Sequence, residues 1–173
     1  MLKHTVTSLL LLAGFASLAQ AQVSPAVGEE APELGQIRWI KNAPEVTAMA
    51  DMRGDVVLVE RWGVNCPPCR AYIPVLEQKW QRWGNGKGLH VFTIHSQSAT
   101  DAQILQLMAN VTYPVGDNGA HAYRGPGSIP FAWLIGVDGT VVFAGNPLRG
   151  LDAALEAEMA KCLYPGLGRA TVH

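Results

Sequence analysis

Cys66-Pro67-Pro68-Cys69, set straight after the β-branched run Val56 to Trp62, restricts this chain more than any other feature. A run of that kind suits a buried central strand. Beyond Cys66 the pattern predicts a helix to about Trp83, ended by Gly84-Asn85-Gly86-Lys87-Gly88. The two thiols therefore stand where a strand hands over to a helix. Unsatisfied N–H groups and the helix dipole favour negative charge there, which lowers a thiol's pKa. Cys66 falls at the helix tip and Cys69 one turn inside, so Cys66 is assigned as nucleophile and Cys69 as resolving thiol. Pro67 falls where a helix tolerates proline best, because the N–H it lacks would have no partner. A bridge between residues three apart closes so short a loop that it adds little stability. Such a bridge reads as chemistry, not as a staple.

Other uses of paired cysteines fit less well. A zinc site calls for a second Cys or Cys/His pair. Cys162, His90, His95, His121 and His173 do not stand at ligand spacing, so no metal is expected. Haem attachment places a histidine directly after the second cysteine, where this chain has Arg70. The formal net charge of −1 offers no attraction to nucleic acid or to an anionic membrane. At 173 residues, 49% of them apolar, the chain has the length and the core of one ordinary domain.

The first 21 residues read as an export signal. Lys3 gives a positive start, residues 6–18 are largely apolar, and Ala19-Gln20-Ala21 has the small-x-small form of a cleavage site. The mature domain would then be 22–173. An uncleaved membrane anchor is the alternative, although the apolar stretch falls short of the roughly 20 residues a spanning helix needs.

Residues 22–33 read as an extended lead-in, and residues 36–41 as a short edge strand. Leu89 to His95 reads as a second buried strand. Ser98 or Thr100 can cap a helix carrying Ile104, Leu105, Leu107 and Met108 on one side. A short helix is expected near 118–124. Residues 131–137, the Asp138-Gly139 turn and residues 140–144 read as a hairpin. A last helix is expected over 151–163, with Leu151, Leu155, Met159 and Cys162 along one stripe. Strands alternating with helices imply an α/β fold, a central mixed β-sheet with helices on both faces.

With these elements placed, the chain resembles the thioredoxin superfamily, and within it the exported TlpA-like thiol–disulfide oxidoreductases, including those serving cytochrome c maturation. The resemblance covers roughly residues 28–163. It rests on Gly28-Glu29-Glu30-Ala31-Pro32, on Arg53-Gly54-Asp55 leading into the central strand, and on Trp62 four residues before Cys66. Pro74, five residues after Cys69, and Gly127-Ser128-Ile129-Pro130 complete it. The fold so implied is thioredoxin-like, with an N-terminal extension and an insert before the strand that follows Pro130.

By the same resemblance, the Ile129–Pro130 bond is cis, which is rare except before proline. Ile129 then presents its backbone beside Cys66 to an extended substrate segment, and Trp62 joins that substrate-binding surface. Glu60, in an otherwise apolar strand, matches the family's buried carboxylate. Burial raises a carboxyl pKa, so Glu60 would exchange a proton with Cys69 during resolution. The alternative pairs Glu60 with Arg61 or another base at the sheet edge. Two departures stand out. Asn65 replaces the aromatic residue that many relatives place before the first cysteine, and Tyr72 replaces an acid found in some reductive relatives. Cys162 reads as a small buried hydrophobe, with an intermolecular bridge as the alternative.

The direction of electron flow follows from thiolate stability, since a stabilised thiolate makes the disulfide more oxidising. Pro67 and Pro68 tune the couple by withholding two N–H groups from the sulfur, while Arg70 adds positive charge. The balance points to the reducing end. The expectation is a monomeric disulfide reductase without cofactor, working on protein substrates through a transient mixed disulfide. It would be recharged by a membrane electron donor and located in the periplasm. An oxidase of exported thiols is the rival, but the 60 residues between Cys69 and Pro130 leave little room for the helical insert such oxidases carry. A peroxidase would need a Pro-x-x-x-Thr-x-x segment, which residues 59–65 lack. A copper metallochaperone would use Cys66, Cys69 and a histidine as ligands.

Overall fold

The computed structural model describes residues 24–117 and 122–162. The elements run β1 (Arg38–Lys41), a 3-10 turn (Met49–Met52), β2 (Val56–Trp62), α1 (Pro67–Trp83), β3 (Leu89–His95), α2 (Asp101–Leu107), β4 (Val115–Asp117), β5 (Phe131–Ile135), β6 (Val141–Gly145) and α3 (Leu151–Lys161). The export signal expected at 1–21, together with His121, His173 and residue 163 of the last helix, lies outside the described residues.

The six strands form one mixed sheet in the order β1-β4-β3-β2-β5-β6. β2, β3 and β4 run parallel, while β5, β6 and β1 pair antiparallel to their neighbours. The steps β2 to β3 and β3 to β4 move in the same direction. Right-handed crossovers then put α1 and α2 on the same face. Accordingly Cys69, Tyr72 and Leu76 of α1, Ile104 of α2, and Leu151, Leu155 and Met159 of α3 share one core cluster with Val56, Leu58 and Trp62. Side chains alternate along a strand, so Val57 and Val59 face the other way. There they meet Leu34 of the lead-in and Met49 and Met52 of the 3-10 turn. Helical segments thus cover both faces unequally, and the lead-in does much of the work on the second. The Trp133 Nε1–H donates to the Pro25 carbonyl at 3.1 Å, and the Tyr123 hydroxyl donates to the Pro32 carbonyl at 2.7 Å, which pins that lead-in to the sheet.

Three local expectations need correction. Leu105 does not share the buried side of α2. It is 41% exposed, while Ile104 is fully buried, since adjacent helical residues point about 100° apart. The helix expected at 118–124 does not include Ala122, Tyr123 and Arg124, which are not helical; residues 118–121 lie outside the described residues. Val115–Asp117 is instead a short strand held between β1 and β3. The first strand of the hairpin ends at Ile135, where its register with β6 shifts. No described helix is long and apolar enough to cross a membrane.

Candidate active site

Ligand sites in open α/β sheets lie at the carboxyl ends of parallel strands, and the cysteine pair sits at that end of β2. Cys66 is the N-cap of α1, with extended backbone, and Pro67 and Pro68 are the first two helical residues. Neither proline has an N–H. The first amide of the helix is therefore that of Cys69, and it donates to Cys66 Sγ at 3.2 Å. The two sulfurs are bonded, 2.11 Å apart, with Cα atoms 5.2 Å apart. Cys66 is 7% exposed and Cys69 1%, so Cys66 is the more accessible of the two. Pro67 and Pro68 are both exposed.

The chain returns to the pair before β5. The Ile129–Pro130 bond is cis, and the Ile129 carbonyl oxygen lies 3.7 Å from Cys66 Sγ. Pro130 is buried and Ile129 half-buried. Ahead of them, Gly125 and Gly127 have φ of 63° and 85°, a left-handed conformation that side-chain-bearing residues seldom adopt. The peptide of Ile129 is thereby brought against the sulfur.

Glu60 lies on the helix-facing side of β2, between Leu58 and Trp62, and is buried. Loss of water pushes its carboxyl up from 4.5 to about 8. Among the described residues no Arg or Lys pairs with it, so the sheet-edge ion pair is not formed. Its charge reaches Tyr72 of α1 and Tyr113, whose phenols are both driven well above their ordinary range, first by burial and then by Glu60. Tyr72 stands three residues after Cys69, on the same helix face. The carboxyl therefore sits beneath α1 on the side where Cys69 is buried.

Trp62 is a correction. The resemblance puts it on the substrate-binding surface, whereas the side chain is fully buried and packs edge-on to His95 at 5.1 Å between ring centroids. With no exposed surface, Trp62 belongs to the core cluster that also holds Cys66 and Cys69. His95 is fully buried as well, with Nδ1 3.1 Å from Asp117 Oδ1. Its position follows from register, because parallel pairing sets Trp62 opposite His95. Sequence reasoning also missed Gln97, whose side chain reaches the Asn65 N–H. The signal for both is spatial: they follow from the pairing of β2 with β3, which no local pattern states. Among the described residues no group of three or more His, Cys, Asp or Glu is arranged to hold a metal.

Neither a protein-family model nor a curated protein matches this chain. Solved structures do. A candidate protein disulfide isomerase from Bacteroides thetaiotaomicron aligns with a TM-score of 0.64 at 23% identity, covering 80% of this chain and 91% of that one. A candidate thiol:disulfide interchange protein DsbE from Chlorobium tepidum aligns at 0.62 and 24% identity, over 80% and 99%. A secreted Mycobacterium tuberculosis disulfide oxidoreductase, homologous to Escherichia coli DsbE, aligns at 0.55 and 20% identity, over 72% and 92%. At such identities the likeness is one of architecture. The chain has the thioredoxin-like fold.

Proposed function

We propose that this protein is an exported thiol–disulfide oxidoreductase that reduces disulfides in protein substrates. One observation carries the reading: Cys66 and Cys69 are bonded at the tip of α1, with the outer sulfur on the helix's first amide and beside the Ile129 carbonyl. A thiolate at Cys66 attacks one sulfur of a substrate disulfide. A mixed disulfide forms and the other substrate sulfur leaves as a thiolate. Cys69 then loses its proton to the Glu60 carboxylate and attacks Cys66 Sγ, releasing the second substrate thiolate. Two electrons have passed to the substrate and the Cys66–Cys69 bond has closed. Glu60 returns its proton to a leaving thiolate or to water, and a membrane electron donor reopens the bond.

Direction and location have their own support. With Pro67 and Pro68 silent as donors, the thiolate receives one helix amide where more would be available, which favours the reducing end. The exposed residues Pro126, Gly127 and Ser128, leading to the half-buried Ile129, suit an extended polypeptide docking beside Cys66. The structural likeness to a thiol:disulfide interchange protein and to a secreted disulfide oxidoreductase agrees with exchange chemistry outside the cytoplasm, as does the signal-like start. The test is a Cys69→Ser variant in the native host. Without the resolving thiol, covalent complexes through Cys66 should accumulate, dissolve on reduction, and vanish when Cys66→Ser is added. Failure to recover any Cys66-linked protein across oxidising and reducing conditions would remove the protein substrate from the account.

A further inference from the structure

Between β2 and α1 the chain makes a tight turn, closed by the Cys66 N–H donating to the Gly63 carbonyl at 3.2 Å. The Asn65 N–H, just ahead of the nucleophile, is taken by a side chain remote in sequence: it donates to Gln97 Oε1 at 2.8 Å. The same side chain lies against Gly63, where an added Cβ would overlap the Gln97 carboxamide. One residue earlier, the Ser96 N–H and hydroxyl donate to the Trp62 carbonyl at 2.9 and 3.2 Å. The two residues straight after β3 thus hold the whole approach to Cys66. Ser96 fixes the end of the strand, and Gln97 fills the turn.

We propose that Gln97 is a positioning residue: its carboxamide seats the 63–66 turn, and the turn in turn holds Cys66 Sγ against the amide of Cys69. The inference rests on the reading of Cys66 as nucleophile. In a helix whose first two residues are prolines, one amide is left to meet that sulfur. Hydrogen bonds weaken steeply as distance and angle drift, so stabilisation that depends on a single donor depends on how firmly the turn is held. The glycine is part of the same device, since position 63 must stay bare for the carboxamide to lie where it does.

The test measures alkylation of Cys66 by iodoacetamide against pH in the reduced full-length protein, with the modified site read by mass spectrometry. Gln97→Met keeps the length and packing of the side chain and removes the acceptor. The midpoint for Cys66 should rise, and its rate at neutral pH should fall about three- to tenfold, the effect of weakening one hydrogen bond to a charged sulfur. Gly63→Ala should act in the same sense, because its methyl displaces the carboxamide. In a Gln97→Ala background, where nothing remains to displace, Gly63→Ala should add no further change. That coupling reads the same contact even if Gln97→Met does not fold. An unchanged alkylation profile in Gln97→Met, or Gly63→Ala effects that add in full to those of Gln97→Ala, would overturn the proposal. A wild-type Cys66 no more reactive than an ordinary thiol fails differently: it removes the nucleophile itself and the oxidoreductase reading with it.

Discussion

Glu60 carries a consequence for stability as well as for proton transfer. Its carboxyl is raised by burial from 4.5 to about 8, so between those values the folded protein binds a proton that the unfolded chain has released. Stability must therefore fall as pH rises from about 4.5 towards 8, with the penalty fully present above that window. Glu60→Gln removes the ionisation, and its advantage over wild type in denaturant unfolding should grow across the window to a few kcal/mol and then level off. The same variant should slow release of a Cys66 mixed disulfide by about 100-fold, the low end of what a positioned base contributes. Equal release rates would leave Glu60 as a buried acid without a part in the exchange. Glu60 was legible in sequence because one acid interrupts an apolar strand. The burial of Trp62 was not, because it depends on His95 lying opposite across two strands. Gln97 was invisible for the same reason, since nothing in Ser96-Gln97-Ser98 marks one side chain as reaching position 65.

At the scale of elements, α1 is anchored through the sheet-facing side that also buries Cys69. Leu76, two turns further on, has no exposed surface. Leu76→Ala should cost about 2–5 kcal/mol of unfolding free energy, from lost transfer energy and the cavity left behind. The N-terminus of α2 is closed by reciprocal bonds between Thr100 and Gln103. Thr100→Ala should cost about 1 kcal/mol and leave exchange at Cys66 unaffected, which thermal unfolding and an activity assay together would check. β2, β3, α1 and the hairpin were readable because each carries its own pattern: β-branched runs, a proline-led helix and an Asp138-Gly139 turn. β4 was not. Pro114, Gly116 and Asp117 are turn residues by local preference, and only the flanking β1 and β3 make Val115–Asp117 a strand. The stretch at 122–124 misled in the opposite sense. Tyr123 is fully buried in the cluster on the lead-in side and holds the Pro32 carbonyl, so tertiary contact replaces the helix that local composition suggested.

Taken whole, the molecule places its only described disulfide where it contributes least to holding the chain together: at one end of the sheet, across three residues. The third cysteine lies at the end of α3, buried and outside any disulfide, with its sulfur near the Gly54 carbonyl. Cys162→Ala should leave the cycling of the pair intact and change stability only through packing, and a parallel loss of redox cycling would mean that Cys162 takes part. The most direct measurement is equilibration of the full-length protein in buffers of defined thiol–disulfide potential, followed by alkylation and mass spectrometry of each cysteine. The account predicts a single reversible two-electron transition in which Cys66 and Cys69 are protected together while Cys162 stays a thiol, with a midpoint at or below roughly −200 mV. A pair that never closes reversibly would contradict the exchange chemistry outright, and a midpoint well above that value would contradict the reducing direction.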